Sequence, residues 1–391
     1  MKKILMAGAA IIALAAPAMA EIRIAHVYGK TGPFEAYAAQ SHNGLMMGLE
    51  YATGGTMEVN GEKIVVIEKD TQLKPDLGKA LLAEAYGDDD AQIAVGPVSS
   101  GVALAMLPVA EEYERVLIVE PAVADSITGE NWNRFVFRTG RNSSQDAISN
   151  AVALGGEGVT IATLAQDYAF GRDGVAAFRE ALEATGAKVA HEEYVPTDTT
   201  DFTAAAERIF TAMKDIEGEK KLFIIWAGGG NPMSKVQAMD PSRFGLEIAT
   251  GGNILAALKA YKDFPGMEGA TYYYYEIPQN PVNAWLVDEH FKRYDSPPDF
   301  FTAGGMAAGI AVVEAIKAAG GADDTDALIA AMEGMEFETP KGKMKFRPED
   351  HQAMQSMYHF RTEVQEGKDY GVPVLVREIG MDEMNIPIRN Q

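Results

Sequence analysis

The chain has no cysteine, which excludes a disulfide framework, a cysteine-based zinc set and a thiol for lipid attachment. It is also poor in basic residues, with 34 Lys and Arg against 56 Asp and Glu and a formal net charge of −22. Nucleic acids and anionic membrane surfaces are both held through basic patches, so neither fits as a partner. Long apolar runs are scarce. One opens the chain, where Lys2 and Lys3 precede the apolar residues 4–16 and an Ala18-Met19-Ala20 site followed by Glu21. This pattern is that of a secretory leader cleaved after Ala20. Elsewhere no run reaches the roughly 20 residues that span a bilayer, and the nearest, 300–313, stops at Glu314. The expected product is a free periplasmic protein without direct membrane insertion.

The signatures of catalysis are missing as well. His26, His42, His191, His290, His351 and His359 are dispersed, with no H-E-x-x-H or H-x-H spacing, so no metal site is expected. Gly96-Pro97-Val98-Ser99-Ser100-Gly101 is not a G-x-S-x-G elbow. The run Gly228-Gly229-Gly230 lacks the spacing of a phosphate-binding loop, and Asp88–Asp90 lack that of a calcium loop. No enzyme and no cofactor are expected, and the 19 methionines read as core filler.

What is present is an alternation of short apolar strands with amphipathic helices. Strands are predicted at 22–27 and 63–68 and helices at 44–52 and 77–86, and residues 93–128 add a short apolar strand, a turn with Ser99 and Ser100, an amphipathic helix running to about Tyr113 and a second apolar strand. Such alternation means βαβ units and a parallel sheet. The plan restarts after a strand-like segment at 135–138, with helices at 144–154, 171–185 and 202–214 and strands at 159–164, 188–194, 222–226, 247–250 and 269–275. Residues 282–293, 302–319 and 326–335 read as further helices, and 339–347 and 354–362 as extended segments. The fold class is therefore α/β, in two units. Residues 93–128 hold the informative junction, because two strand ends and a helix start carrying Ser99 and Ser100 meet there. In parallel sheets ligands sit beyond the carboxyl ends of strands, where helix N-termini offer free N–H groups. An ordinary capped helix accounts equally well for the two serines.

Several short motifs in fixed order carry a resemblance. They are Thr31-Gly32-Pro33 with Tyr37, Gly96-Pro97 with the serine turn, Glu120-Pro121-Ala122 with Thr128, Phe137-Arg138-Thr139 with Gln145, Tyr168-Ala169-Phe170-Gly171, and the apolar helix at 300–316. With these the chain resembles the periplasmic solute-binding proteins of branched-chain amino acid ABC importers, of the type I periplasmic binding fold. The resemblance implies two Rossmann-like lobes with parallel central sheets, joined by three hinge strands and closing over one small solute. It places lobe 1 at 21–140 plus about 278–360, and lobe 2 at about 141–277 plus about 361–391.

It also implies site residues. Ser100, with Ser99 beside it, and the backbone at Ala122 match the family's grip on an α-carboxylate. The family's ammonium partners are altered, since one threonine position is Ala124 here and the second-lobe carboxylate falls on Asn253. Either the ligand lacks a free α-ammonium or another acid replaces them, with Glu120 and then Glu276 as candidates. Tyr37, Phe170, Phe301 and Trp226 match or neighbour aromatic pocket positions, and alternation along 272–275 turns half of that tyrosine run, including Tyr274, inward. The expected function is that of an ABC-importer component that binds an amino acid or a related small carboxylate or amide and presents it to permease subunits in the inner membrane. The alternatives are a ligand sensor of the same fold that regulates a signalling partner, and a binder of an alkylammonium or aromatic acid.

Overall fold

The computed structural model describes residues 21–391; the leader expected over 1–20 lies outside the described residues. Six strands form the first sheet: β1 (Glu21–Tyr28), β2 (Glu58–Val59), β3 (Glu62–Asp70), β4 (Ile93–Val95), β5 (Val116–Val119) and β6 (Val136–Arg138). Their order is β2-β3-β1-β4-β5-β6, and every pairing except β2 with β3 is parallel. The central strands are continuous runs of Val, Ile, Leu and Ala buried on both faces, as the inside of a parallel sheet requires. Helices α1 (Glu35–Ala52), α2 (Pro75–Gly87) and α3 (Ser100–Glu112) connect them.

The second sheet contains β7 (Thr160–Gln166), β8 (Lys188–Val195), β9 (Lys220–Ile225) and β10 (Leu246–Thr250), in the parallel order β10-β9-β7-β8. Around it lie α4 (Ser143–Leu154), α5 (Ala169–Glu183), α6 (Thr203–Met213), α7 (Met233–Gln237) and α8 (Leu255–Tyr261). Asn142 starts α4 with a capping box, in which its side chain accepts from Gln145 N while the Gln145 side chain accepts from Asn142 N. The remainder comprises β11 (Glu268–Thr271), α9 (Pro281–Tyr294), α10 (Phe300–Ala319), α11 (Thr325–Met332) and the antiparallel strands β12 (Glu336–Thr339), β13 (Gly342–Phe346) and β14 (Ala353–Met354). The chain closes with β15 (Met357–Glu363) and β16 (Val372–Ile379), where β15 pairs antiparallel with both β11 and β16.

Helix α10 is long and apolar enough to cross a membrane, but 89% of its apolar window is buried inside the protein. It packs on α1 at glycine-to-backbone distance. A Cβ on Gly44 would stand 2.1 Å from the carbonyl oxygen of Thr302, and one on Gly305 2.1 Å from that of Ser41. Small residues at the crossing are what allow two buried helices to approach so closely.

The chain passes between the two lobes near residues 140, 272 and 355, since Phe137, Tyr272 and Met357 belong to the core of the first lobe while Ala147, Met267 and Phe360 belong to those of the second. Buried Arg138 ties the first and third of these passages together by donating to Gln352 Oε1 at 2.6 Å, and holds the first lobe beside them by donating to Ala124 O at 2.6 Å and to Thr128 Oγ1 at 2.5 Å. A further passage follows β16, because Ile379, Met384 and Ile386 return to the first core.

Three of the differences from the sequence expectation matter most. Helix α1 begins nine residues before Gly44, at Glu35. The strand expected to run to Tyr275 ends at Thr271, because Tyr272 and Tyr273 turn into the first core and Tyr274 into the second. Strand β16 was not foreseen; it is an edge strand with Leu375 and Val376 exposed, which breaks the alternation.

Candidate functional site

Two adjoining cavities lie between the lobes, of about 90 Å³ and 40 Å³, and Tyr37, Arg141, Phe170, Ala227 and Phe301 line both. The lobes meet across them. The Tyr37 hydroxyl, from α1, donates to Asn253 Oδ1 at 2.9 Å and accepts from Gly228 N at 2.8 Å. Ser126 donates through N and Oγ to Asp173 Oδ2 at 3.0 and 2.8 Å. The Arg389 guanidinium lies 3.2 Å from Asp125 and 2.6 Å from Glu180. This is a closed cleft, fastened at both rims.

The serine turn is built as the sequence suggests, with a change in which group faces the cavity. Ser100 Oγ accepts from Val123 N at 3.3 Å and from Ala124 N at 3.2 Å, and Ala122 N donates to Pro97 O at 3.2 Å. The N–H groups of the 122–124 turn are therefore engaged within the protein. The Ser100 hydroxyl proton has no acceptor among the described residues, and Ser100 lines the smaller cavity. Ser99 is the N-cap position of α3 without a side-chain cap bond, and neither it nor Ala124 lines a cavity.

The strongest ligand-facing group is one the sequence reading did not select. Arg141 stands just before the N-cap of α4, where a cation is disfavoured by the helix dipole. Its Nε donates to Asp146 Oδ1 at 2.9 Å, while Nη1 and Nη2 have no partner among the described residues. The guanidinium lies 4.8 Å from the centre of the Phe300 ring and 5.5 Å from that of Tyr272. A positive fork added to a positive helix end is arranged for an anion, and a carboxylate matches it bidentately. That misfit of charge and helix end is the sequence signal that could have found it. Asp146 is the one carboxylate lining either cavity; burial raises its pKa and Arg141 opposes the rise.

The aromatic residues expected at the pocket are brought together. Phe301 stacks obliquely on Tyr37 with centroids 4.4 Å apart, Phe170 begins α5 at the cleft, and Trp226 lines the larger cavity with its Nε1 donating to Gly229 O at 3.1 Å. Asn253 also lines the larger cavity, engaged by the Tyr37 hydroxyl and by Ile254 N.

Besides Ser99, Ala122 and Ala124, three expected residues are not in the wall. Glu120 sits behind it, accepting from Thr139 Oγ1 at 3.2 Å with Gly304 of α10 packed against its carboxylate. Burial pushes Glu120 up to about 7, against the opposing pull of Arg141, Thr139, Lys341 and Arg138. Beside it, Lys341 is held over the Tyr272 ring at 3.7 Å, donates to Gln355 Oε1 at 2.7 Å, and is driven well below the usual lysine range by burial. Tyr274 and Glu276 lie elsewhere, bonded to each other at 3.3 Å and to Tyr370 and Lys368. Tyr272, not Tyr274, faces the cavity, because the strand ends before the alternation reaches them.

Two lobes with parallel sheets, crossed by hinge segments and closed over a small cavity with an anion-ready cation, define a protein that encloses a solute. The comparisons make the family explicit. Residues 21–369 match the family model described as periplasmic binding protein, and the chain belongs to that family. It is 26% identical over 372 residues to the Leu/Ile/Val-binding protein homolog 6 of Brucella melitensis, covering 92% of each chain. Among solved structures it is similar to an ABC-type branched-chain amino acid transporter protein of Rhodopseudomonas palustris CGA009, with 68% identity, a TM-score of 0.85 and coverage of 95% of this chain and all of that one. A solute-binding protein of an ABC transporter from R. palustris BisB5, solved in complex with 3,4-dihydroxybenzoic acid, is 28% identical with a TM-score of 0.79, covering 94% and 99%. The chain is a periplasmic solute-binding protein of the ABC-importer type, of the branched-chain amino acid binding family.

Proposed function

We propose that the cleft takes a small organic acid without an α-ammonium group, with its carboxylate on Arg141, and presents it to permease subunits in the inner membrane. The observation that carries this reading is the Arg141 guanidinium, whose Nη1 and Nη2 have no partner among the described residues at the junction of the two cavities. Ser100 supplies a hydroxyl donor to the same carboxylate, and Tyr37, Phe170, Trp226 and Phe301 surround an apolar or aromatic body. Asn253 serves closure through Tyr37 rather than an ammonium. The relative that holds an aromatic acid supports this class of ligand. In the same reading the leader is removed after Ala20, the protein has no catalytic role, and the part up to the passage near 140, with the chain between the passages near 272 and 355 and the end of the chain from Ile379, moves as one lobe against the remainder.

A second reading rests on Asp146, which lines the cavity and could meet an amino acid's ammonium. It requires the ammonium to compete with Arg141 for that carboxylate. A thermal-shift screen of the mature protein with amino acids, their deaminated carboxylates, aromatic acids and the matching amides separates the two. Saturating ligand at a hundred times its Kd adds about 2.7 kcal/mol of stability. Carboxylates lacking the amine are expected to shift the melting temperature, and Arg141→Met to weaken them by about 2 to 3 kcal/mol, roughly a hundredfold. A shift confined to α-amino acids would reject the reading.

A further inference from the structure

The larger cavity does not end at the aromatic residues of the cleft. It continues into the second lobe between α4 and α5. Ser143, Asp146, Ala147 and Asn150 of α4 line it at the spacing of one helical face, and Phe170, Gly174 and Phe178 line it from one face of α5. At about 1.5 Å rise per residue, Phe170 to Phe178 spans about 12 Å. Ala147, Phe178 and Phe223 are also core residues between these helices and the second sheet. The passage is therefore a slot into a lobe core, and Gly174 keeps it open, since even a Cβ there would approach Ile225 Cγ2 to 3.3 Å.

Most polar side chains along this slot are engaged by the protein; the Tyr272 hydroxyl in the cavity wall has no partner among the described residues. Ser143 Oγ donates to Val123 O at 3.1 Å, and Thr250 Oγ1 donates to Ile224 O at 2.8 Å. Asn150 donates to Asp146 O at 2.8 Å and accepts from Ala270 N at 2.9 Å. Asp146 accepts from Arg141 at the mouth. Below Arg141 the slot thus offers hydrocarbon and aromatic surface and few open hydrogen-bonding groups. A hydroxyl carried into it would lose its water partners without replacement.

We propose that the ligand is an extended monocarboxylate with an apolar tail, longer than a bare benzoate ring, whose tail enters the slot between α4 and α5 past Gly174. This deepens the small-acid reading and rests on it. The carboxylate stays on Arg141, and the slot sets the length and polarity of the tail. Each buried methylene contributes about 0.8 kcal/mol, so two added methylenes raise affinity about tenfold.

The test is isothermal titration of the full mature protein with benzoate, 3-phenylpropanoate, octanoate and 3-(4-hydroxyphenyl)propanoate. The slot predicts that 3-phenylpropanoate binds about tenfold tighter than benzoate and that the para-hydroxyl removes most of that gain. A straight-chain preference in octanoate would identify an alkyl tail, and a preference for 3-phenylpropanoate an aryl one; both support the slot. Gly174→Leu puts a better helix former into α5 while filling the passage, and should bring the ratio of 3-phenylpropanoate to benzoate affinity to within about twofold, with Gly174→Ala intermediate. Equal affinity for benzoate and the longer acids, or a ratio unmoved by both variants, would overturn the slot and leave the carboxylate reading standing. Binding of α-amino acids alone, with none of the four acids bound, would overturn both.

Discussion

Glu120 is a carboxylate that the fold buries without a full complement of partners, and the consequence can be measured. Its carboxyl faces Thr139 and Arg141 from the β6–α4 connection, Arg138 from β6, Lys341 from the β12–β13 turn, Tyr272 after β11 and Gly304 from α10. Desolvation outweighs the nearby cations and lifts it from 4.5 to about 7. A raised acid favours the folded state while protonated. The contribution is complete below pH 4.5, declines as pH rises through 7, and is absent above it. A shift of that size is worth about 3 kcal/mol. Glu120→Gln keeps the shape and cannot ionise. Urea unfolding followed by tryptophan fluorescence should find the variant and the parent equally stable at pH 4.5, with the variant ahead by about 3 kcal/mol at pH 8. Two stability curves that run parallel from pH 4.5 to 8 would refute the reasoning, because the carboxyl would then ionise as easily in the folded chain as in the unfolded one.

Other consequences follow from the same geometry. A carboxylate docking beside Arg141 adds a negative charge near Glu120, so binding at pH 7.5 should take up a fraction of a proton; calorimetry in buffers of different ionisation enthalpy reads it, and Glu120→Gln should abolish it. Tyr37→Phe removes the two hydrogen bonds that Tyr37 makes across the cleft, and Kd should rise about tenfold, the equivalent of about 1.4 kcal/mol, mainly through faster dissociation in stopped-flow traces. Gly305→Ala forces a Cβ to within 2.1 Å of the Ser41 carbonyl oxygen and 2.8 Å of Leu45 N. These are backbone atoms that cannot swing away, so a loss of about 3 kcal/mol is expected in thermal unfolding, and an unchanged melting temperature would contradict the close α1–α10 packing.

How much of this the sequence carried depends on where the signal lay. The central strands of both parallel sheets are short runs rich in Val, Ile, Leu and Ala flanked by turns, and their local pattern is sufficient. The serine turn, Tyr37, Phe170, Trp226, Asn253 and Phe301 could be placed because motif order positions them on strand ends and helix starts. The first half of α1 could not, since it buries Tyr37, Ala38 and Ser41 against α10 with small or polar residues and shows no apolar stripe. Whether Glu120 faces the cavity or lies behind it depends on Gly304, 184 positions away and brought there only by the fold. Arg141 left a local trace, a cation at the positive end of a helix, but its free Nη1 and Nη2 are a tertiary fact. The tyrosine run 272–275 misled because Tyr272 and Tyr273 go to the first core and Tyr274 to the second, and the strand stops at Thr271.

The most direct test of the account is a crystal structure of the mature protein with the tightest carboxylate from the ligand screen. It should place the two carboxylate oxygens on Arg141 Nη1 and Nη2, with the Ser100 hydroxyl donating to one of them and no group of the ligand on Asp146. A ligand ammonium bound to Asp146, or a carboxylate held away from Arg141, would contradict it.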